Sequence, residues 1–308
     1  MKSEDPSKTT AVSLLGCGWL GVALAPSLMS YGFRVRGSTT RSSKLSQLSS
    51  MDVEPLLLRI EPQEPGSTFS ATTGSAVFFN SETLVINLPP EAALGADYHP
   101  GQIASILSLL MPDRSSSDLK HIVYVSSTSV YGAWQGAVDE STPPKPDEGS
   151  GEILLRTESM LTDWARANSV AVSIVRPGGL IGPGRHPGLF LAGRKNALNG
   201  ESPVNLIHQL DLVEILTAII VAGRPSSGES EIYNAVSSHH PLRKDFYVRA
   251  ALAIGVEAPT FAKVDDSASG RYPASAKLVM SLNLKHLKGL ILKNDDLYSS
   301  MGVKHETH

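Results

Sequence analysis

The chain has 308 residues, of which 41% are hydrophobic and 19% charged, and its formal net charge at pH 7 is −3. This composition is typical of a globular protein, with enough apolar residues for one large α/β domain or for a core domain and a smaller lobe. The sequence holds no block of basic residues, which argues against binding to nucleic acid or to an anionic membrane surface.

The compartment is indicated by the cysteine content and by the first residues. Cys17 is the only cysteine, so the chain cannot form an internal disulfide, and we expect no metal site because metal-ligand spacing is absent. A single thiol fits a reducing compartment. No apolar run approaches the roughly 18–20 residues of a membrane span. Residues 1–10 are polar, which predicts a flexible tail rather than a secretory signal. We therefore expect a cytoplasmic protein without membrane association.

Strand and helix patterns alternate along the first part of the chain. Short apolar runs typical of buried strands lie at Ala11–Leu15, Phe33–Arg36, Leu56–Ile60, Leu84–Leu88, His121–Val125 and Val170–Val175. Helical spacing of apolar residues occurs at Trp19–Tyr31, Ile103–Met111 and Leu154–Ala167. This alternation predicts an α/β fold with a Rossmann-type doubly wound parallel sheet over residues 11–176. The loop-rich residues 177–308 predict a smaller substrate-side lobe packed on the sheet.

The first predicted strand runs into a glycine-rich turn. The turn reads Gly16-x-Gly18-x-x-Gly21 and lies between an apolar strand and an apolar helix, which is the context in which this motif binds a dinucleotide. Gly16 permits the tight turn, Gly18 allows the backbone to approach a pyrophosphate, and Gly21 allows close helix–strand packing. The N–H groups at the helix start then meet phosphate charge. Cys17, within the turn, is interpreted as a small packing residue rather than a redox-sensing thiol.

The end of the second strand indicates which dinucleotide is preferred. An NAD site usually carries Asp or Glu there for the ribose 2′-OH. This chain reads Arg36-Gly37-Ser38-Thr39-Thr40-Arg41 instead. Two guanidinium groups and three hydroxyl groups suit a 2′-phosphate, because both kinds of group donate to its oxygens. We therefore predict NADP as the cofactor in preference to NAD. The alternative is that these are solvated loop residues.

A second informative region begins with the fifth predicted strand. Residues 121–132 read HIVYVSSTSVYG, residues 139–146 read DESTPPKP, and residues 176–184 read RPGGLIGPG. Together with the glycine turn, these segments resemble the extended short-chain dehydrogenase/reductases, also called the NAD-dependent epimerase/dehydratase family. The resemblance implies that Ser127, four residues before the motif tyrosine Tyr131, hydrogen-bonds the substrate oxygen. It also implies that residues 176–184 close over the nicotinamide.

The motif and the resemblance together give a set of expected cofactor contacts. These residues are Gly16, Cys17, Gly18, Trp19, Leu20, Gly21, Ser38, Thr39, Thr40, Arg41, Leu88, Pro89 and Pro177.

The chain departs from the family at the acid/base pair. The family carries Tyr-x-x-x-Lys on the helix after the DE-x-TPP loop, where the tyrosine moves the proton and the lysine holds the nicotinamide ribose. In this chain the pair falls on Ser150 and Leu154 in one alignment and on Glu152 and Arg156 in another. Neither register restores the pair. The resemblance is therefore to an atypical branch that keeps the cofactor turn and the upstream serine.

If hydride chemistry survives, another group must move the proton, because a positioned acid or base contributes about 10²–10⁴-fold in rate. The candidates are Glu152, His186 and Tyr131. Glu152 lies four residues before Arg156, and the two form either a substitute pair or an exposed helix ion pair. His186 follows the nicotinamide loop and either relays protons or is simply exposed. Tyr131 carries a phenol but lines the core or the pocket in most interpretations.

The sequence thus predicts an NADP(H)-binding protein with epimerase, dehydratase or reductase chemistry on a small polyhydroxylated or nucleotide-linked substrate. Hydride transfer is the expected reaction, with Ser127 polarising the reacting oxygen. The alternative is a sensor or scaffold that binds NADP(H) without catalysis. The missing pair favours that alternative, and the retention of Ser127 favours the enzyme. A homodimer is expected only by analogy with the family.

Overall fold

The structure is a computed structural model that describes residues 10–60, 75–110, 119–132, 136–222, 224–262, 277–279 and 296–298. The tail expected at residues 1–10 lies outside the described residues, apart from Thr10.

The strands of the described chain are short. They are β1 (Ala11–Leu15), β2 (Arg34–Thr39), β3 (Glu54–Leu57), β4 (Thr83–Ile86), β5 (His121–Val125), β6 (Gly136–Val138), β7 (Ala171–Pro177), β8 (Gly179–Ile181), β9 (Leu206–His208), β10 (Ser230–Ala235) and β11 (Lys277–Val279). The helices are α1 (Trp19–Ser30), α2 (Leu45–Ser49), α3 (Ser75–Phe79), α4 (Tyr98–Leu109), α5 (Ser150–Asn168), α6 (Gln209–Ala222) and α7 (Arg243–Ala253).

Seven strands form the main sheet in the order β3-β2-β1-β4-β5-β7-β10. The pairs β1–β2, β1–β4, β2–β3, β4–β5 and β5–β7 are all parallel. The strand order reverses at β1, which is the switch point of the Rossmann fold, where ligands bind beyond the carboxyl ends of the strands. The predicted doubly wound parallel sheet is therefore confirmed. Two further pairs, β6–β11 and β8–β9, are also parallel.

The central strands are buried along their whole length, as is typical of a parallel sheet with helices on both faces. Every residue of β1, β4, β5 and β7 is buried. The bounds of β1 and β5 coincide with the predicted runs, whereas β2 begins and ends later than predicted. The extra length follows from pairing, since Ser38 and Thr39 stand opposite Leu56 and Leu57 of β3.

The chain forms two compact units. The first comprises residues 1–126, 148–175 and 216–232, and the second comprises residues 127–147, 176–215 and 233–308. The second unit has an apolar cluster of its own, made of Ile181, Val204, Leu206, Phe246, Tyr247, Leu297 and Tyr298. Among the described residues, no helix has the length and apolar character needed to cross a bilayer.

Candidate functional site

The turn after β1 requires glycine at its first position. Gly16 has a φ of +88°, and a Cβ added there would lie 2.4 Å from the carbonyl oxygen of Asn87. The Asn87 Nδ2 group donates to the Gly16 carbonyl at 3.1 Å, and the Asn87 N–H donates to the Leu15 carbonyl at 2.9 Å. The backbone that follows β4 is thus pressed against the glycine turn, which leaves no room for a side chain at residue 16.

The second and third glycines have different surroundings. A Cβ added at Gly18 would have no heavy atom within 4 Å, so this face of the turn is open. A Cβ at Gly21 would lie 3.1 Å from the Gly16 carbonyl oxygen, so Gly21 brings α1 close to the turn. Gly18 is the N-cap of α1 and provides no side chain to cap the first N–H groups. Open space beside the N-terminus of a helix is what a pyrophosphate requires.

The residues between these glycines have packing roles. Cys17 is 2% exposed, and burial raises the pKa of its thiol to about 11, although the charge of Lys44 opposes this. The thiol is protonated at neutral pH, which supports its interpretation as a packing residue. Leu20 is also buried, whereas Trp19 is half-buried at the start of α1.

Ser38, near the end of β2, accepts two hydrogen bonds from the backbone of the glycine turn. Its Oγ accepts from the Gly16 N–H at 3.0 Å, and its carbonyl accepts from the Cys17 N–H at 2.8 Å. Thr39 Oγ1 accepts from the Arg41 N–H at 3.2 Å, and both Ser38 and Thr39 are buried. These two hydroxyl groups therefore bind the backbone of the glycine turn and of Arg41. We call residues 36–41, at the end of β2, the rim. Thr40 and Arg41 are exposed beyond them.

The expectation that Arg36 contributes to this rim is wrong. Arg36 is 6% exposed, and its Nε forms an ion pair with Glu54 Oε2 at 3.2 Å. Its Nη1 donates to the Asn80 carbonyl at 2.7 Å. The guanidinium group is thus held by β3 and by the segment before β4, because Arg36 pairs opposite Glu54 in the sheet.

A second cation, which the sequence analysis missed, lies next to the rim. The short 3₁₀ helix Ser42–Lys44 follows β2, and the Lys44 N–H donates to the Arg41 carbonyl at 3.0 Å. This bond closes one turn between Arg41, which is the extended N-cap of the helix, and Lys44. The described residues hold no carboxylate in ion-pair contact with Arg41 or Lys44. The Arg-x-x-Lys spacing of Arg41 and Lys44 is the sequence feature that could have identified Lys44.

The remaining expected cofactor contacts lie on two other segments. Leu88 is half-buried, with its Cδ2 3.2 Å from the place of a Cβ on Gly16, and Pro89 is exposed. Both belong to the first unit and follow β4, beside the glycine turn. Pro177 is the buried last residue of β7 and belongs to the second unit.

Ser127 is the half-buried N-cap of a short 3₁₀ helix, Thr128–Tyr131. Its Oγ accepts a hydrogen bond from the Ser129 N–H at 3.1 Å. Because that contact uses a lone pair, the Ser127 hydroxyl proton is left to donate to another oxygen. The preceding residue is fixed separately, since Ser126 Oγ donates to the buried Glu158 carboxylate at 2.5 Å. Ser127 can therefore act as a hydrogen-bond donor, as the resemblance implies.

Tyr131 is part of a buried hydrogen-bond network and is not a free phenol. It is 0% exposed, and its hydroxyl lies 3.0 Å from the Asp139 carbonyl and 2.9 Å from Asn234 Oδ1. Arg176 Nη1 donates to the same hydroxyl at 2.9 Å, and its guanidinium carbon lies 5.0 Å from the ring centre. Burial raises the Tyr131 pKa, although Arg176 opposes the shift. This environment removes Tyr131 from the candidate proton donors.

Helix α5 carries no substitute for the family's tyrosine and lysine. Ser150 is its exposed first residue, and Leu154 is 3% exposed in the core. The predicted Glu152–Arg156 pair is wrong, because Arg156 Nη1 binds Asp97 Oδ1 at 2.5 Å. Asp97 precedes α4, so the contact joins two helices that pack together. Glu152 is exposed in the first turn of α5.

His186 caps a short 3₁₀ helix, Pro187–Leu189. Its Nδ1 accepts from the Gly188 N–H at 3.1 Å, which places the ring proton of the neutral form on Nε2. Nε2 is buried without a hydrogen-bond partner within the described ranges. The neutral ring therefore presents a donor, while its Nδ1 has a structural role in the loop.

Comparisons with known proteins agree with this geometry. A sequence profile of the NAD dependent epimerase/dehydratase family matches residues 14–234. Protein YeeZ of Escherichia coli K12 is 34% identical over 277 residues, which cover 89% of this chain and 95% of that protein. The Campylobacter jejuni UDP-Glc/GlcNAc 4-epimerase aligns with a TM-score of 0.72 and 15% identity over 96% of this chain and 97% of that chain. The Thermotoga maritima UDP-glucose 4-epimerase, solved with UDP-glucose, aligns with a TM-score of 0.64 and 14% identity over 89% and 90% of the two chains.

The sheet order and the glycine turn define a Rossmann protein of the dinucleotide-binding class. The chain belongs to the NAD-dependent epimerase/dehydratase family. The resemblance read from the sequence is therefore confirmed, and α5 contains neither a tyrosine nor a lysine in either alignment of the family's pair.

Proposed function

We propose that this protein binds NADP(H) and transfers hydride to or from a small polyhydroxylated or nucleotide-linked substrate. One observation carries the proposal: the glycine turn is open at Gly18, and the end of β2, which is bonded to the turn through Ser38, continues into Arg41 and Lys44. Bound NADP(H) would supply the hydride, and the protein would supply the binding groups described above.

The phosphate-binding part rests on the fit of the turn. Gly18, the N-cap of α1, has no side chain, and a Cβ added there would have no heavy atom within 4 Å. A negatively charged pyrophosphate is stabilised at such a helix N-terminus by the backbone N–H groups and the helix dipole.

The preference for NADP rests on the rim. Arg41, Lys44 and the Thr40 hydroxyl follow β2, where an NAD site would carry a carboxylate. A dianionic 2′-phosphate gains charge-assisted hydrogen bonds from the two cations. An acid in the same position would instead repel it.

The substrate class is supported by the relatives and by Ser127. The Thermotoga and Campylobacter structures are epimerases named for UDP-sugars. The free proton of Ser127 can stabilise an oxygen that gains negative charge as hydride moves. The group that moves the proton is Glu152 or His186, since the Tyr131 hydroxyl is occupied.

The alternative is an NADP(H) sensor or scaffold. The observation that favours it is on α5, where the family's lysine position falls either on the buried Leu154 or on Arg156, which binds Asp97. Such a protein would bind the dinucleotide through the same turn and rim but would turn over no substrate.

Isothermal titration with NADP⁺ and NAD⁺ tests the binding proposal. NADP⁺ should bind more tightly, and Arg41→Ala or Lys44→Ala should each weaken NADP⁺ about tenfold while leaving NAD⁺ unchanged. Arg34→Ala is the matched control, because Arg34 lies at the other end of β2 and pairs with Glu54. Tighter binding of NAD⁺, or equal effects of all three substitutions, would contradict the assignment.

Turnover separates the enzyme from the sensor. With NADP⁺ and UDP-glucose or UDP-glucuronic acid, the enzyme should convert the sugar, and Ser127→Ala should abolish conversion without changing NADP⁺ affinity. Conversion that survives in Ser127→Ala would remove Ser127 from the mechanism. A tight NADP⁺ complex that converts neither sugar would favour the sensor.

A further inference from the structure

The segment after β4 is attached to the glycine turn. The Asn87 backbone and side chain donate to the Leu15 and Gly16 carbonyls, as described above. Four residues further on, after Leu88, Pro89 and Pro90, the chain reaches Glu91. Two consecutive prolines restrict this short connection, because each ring fixes φ near −65°. Glu91 therefore lies only four residues along the chain from Asn87, which is bonded to the glycine turn.

The backbone of Glu91 is in an unfavourable conformation. Its φ and ψ are 41° and 49°, which is the left-handed region. A non-glycine residue pays a free-energy cost there because its Cβ crowds the backbone. Such conformations concentrate at ligand-binding sites, where the side chain is needed for function. A glycine would satisfy the local backbone better than glutamate does.

The Glu91 carboxylate has no structural role among the described residues. It is exposed, and it makes no capping hydrogen bond to the 3₁₀ helix Ala92–Leu94 that it precedes. Only its backbone is used there, since the Leu94 N–H donates to the Glu91 carbonyl at 2.8 Å. The described part of the chain also contains no cation in ion-pair contact with it. The strain is thus not offset by a local contact of the side chain.

The position in the sheet indicates which part of a dinucleotide lies nearby. Strands β1–β3 form the first mononucleotide-binding half, which ends in the 2′-phosphate rim, and β4 begins the second half. A residue after β4 therefore belongs to the nicotinamide half. That half lacks its usual ribose ligand on α5 in either alignment of the family's pair, because the lysine position falls on the buried Leu154 or on Arg156, which binds Asp97.

We propose that the Glu91 carboxylate accepts hydrogen bonds from the ribose hydroxyl groups of the nicotinamide half of NADP(H). A ribose diol offers two O–H donors, and an ionised carboxylate is an acceptor with two oxygens, so the chemistry matches. The inference rests on the proposed function, since it requires that the dinucleotide binds at the glycine turn.

Calorimetric titration of three variants tests the inference. Glu91→Gln keeps the size and the backbone strain but loses the charge, and Glu91→Gly removes both the carboxylate and the strain. Asp52→Gly is the matched control, because Asp52 is another exposed acid in the left-handed region, with a φ of 59°. The two ligands are NADP⁺ and adenosine 2′,5′-bisphosphate, which lacks the nicotinamide half.

Both Glu91 variants should bind NADP⁺ about tenfold more weakly, since hydrogen bonds to a charged group are the strong ones. They should bind adenosine 2′,5′-bisphosphate as the wild type does, and Asp52→Gly should change neither affinity. Glu91→Gly should also keep or raise the thermal midpoint, so its weaker binding is not a folding defect.

Two outcomes separate this inference from the proposed function. If the wild type binds NADP⁺ and Glu91→Gly binds it equally well, the Glu91 inference is wrong and the proposed cofactor stands. Equal losses for both ligands would also overturn the inference, because the nicotinamide half would not be involved. If the wild type binds neither ligand, the proposed function itself fails, and the inference fails with it.

Discussion

Gly16 and Gly18 lie in the same turn, yet the space around them is different. A Cβ at Gly16 would meet the Asn87 carbonyl oxygen at 2.4 Å and would require a φ of +88°. A Cβ at Gly18 would enter open space, at a φ of −89°. Gly16 is therefore required by the fold itself, whereas Gly18 is required only if a ligand occupies the space.

This difference predicts opposite effects of adding one methyl group. Gly16→Ala should lower the free energy of unfolding by about 2 kcal/mol or more, because the Asn87 backbone would have to move to make room for the methyl group. Gly18→Ala should leave the thermal midpoint nearly unchanged and weaken NADP⁺ at least tenfold by keeping the pyrophosphate away from the backbone. Calorimetry of both variants, with and without NADP⁺, measures the two effects. Unchanged NADP⁺ affinity in Gly18→Ala would show that the open face is not the binding site.

For individual residues, the sequence was sufficient where a prediction depends only on neighbours along the chain. The glycine spacing follows from a short motif, and the structure gives Gly16 and Gly21 the close contacts that the motif requires. The role of Ser127 stays a prediction. Arg36 was misjudged because its partner, Glu54, is 18 residues away in sequence. Only the pairing of β2 with β3 shows that the Arg36 guanidinium group is held by Glu54. Lys44 was missed because its relation to Arg41 depends on a single 3₁₀ turn.

Among the elements, Tyr131 joins the 3₁₀ helix that contains it to β7 and β10. Its hydroxyl contacts Arg176 of β7 and Asn234 of β10, and the Asn234 N–H donates to Glu140 at 2.8 Å. The network therefore holds the loop at residues 139–140 as well. Loss of one hydroxyl would leave a buried guanidinium and a buried amide with one hydrogen bond fewer each.

Tyr131→Phe should lower the free energy of unfolding by about 1–3 kcal/mol, because buried polar partners lose a hydrogen bond. Its effect on NADP⁺ affinity should be small, since the glycine turn and the rim do not include it. Urea unfolding and calorimetric titration check the two statements. Wild-type stability combined with lost turnover would instead restore Tyr131 as a catalytic residue.

The predicted elements were most accurate where burial alone decides them. β1 and β5 have the predicted bounds because both strands are mostly apolar and every residue in them is buried. The prediction was poorer at β2 and β3, whose ends are decided by their mutual pairing. Helix α5 begins at Ser150, before the predicted Leu154, because its first turn is polar and carries no apolar periodicity.

For the whole molecule, two buried histidines link stability to pH. His99 is 0% exposed and its Nε2 contacts the Tyr124 hydroxyl at 2.9 Å, and His121 is 1% exposed with its Nε2 2.9 Å from Ser173 Oγ. Burial lowers the pKa of each from 6.5 to about 4. Both rings are therefore neutral in the folded protein over a range where they are protonated in the unfolded chain.

Stability should fall as the pH is lowered from about 6.5 to about 4, because the unfolded state binds these protons first. Each histidine contributes a slope of up to about 1.4 kcal/mol per pH unit within that window. Above the unfolded pKa the contribution is constant. Urea unfolding across the pH range should show this loss, and His121→Gln should make it less steep. An unchanged slope in that variant would contradict the assignment.

The organisation of the whole molecule was the hardest to predict from the sequence. Each compact unit is made of three separate chain segments that alternate along the sequence. Composition and periodicity describe neighbours along the chain, and they contain no information about which distant segments pack together. The predicted division into residues 11–176 and 177–308 accordingly followed the change in loop content, and it stays a prediction.

The most direct test of the account is a crystal structure of the protein grown with NADP⁺. We predict that the pyrophosphate lies against the backbone of Gly16–Gly21 and that the 2′-phosphate contacts Arg41 and Lys44. A dinucleotide bound elsewhere, or a 2′-phosphate in solvent away from both cations, would contradict the central claim.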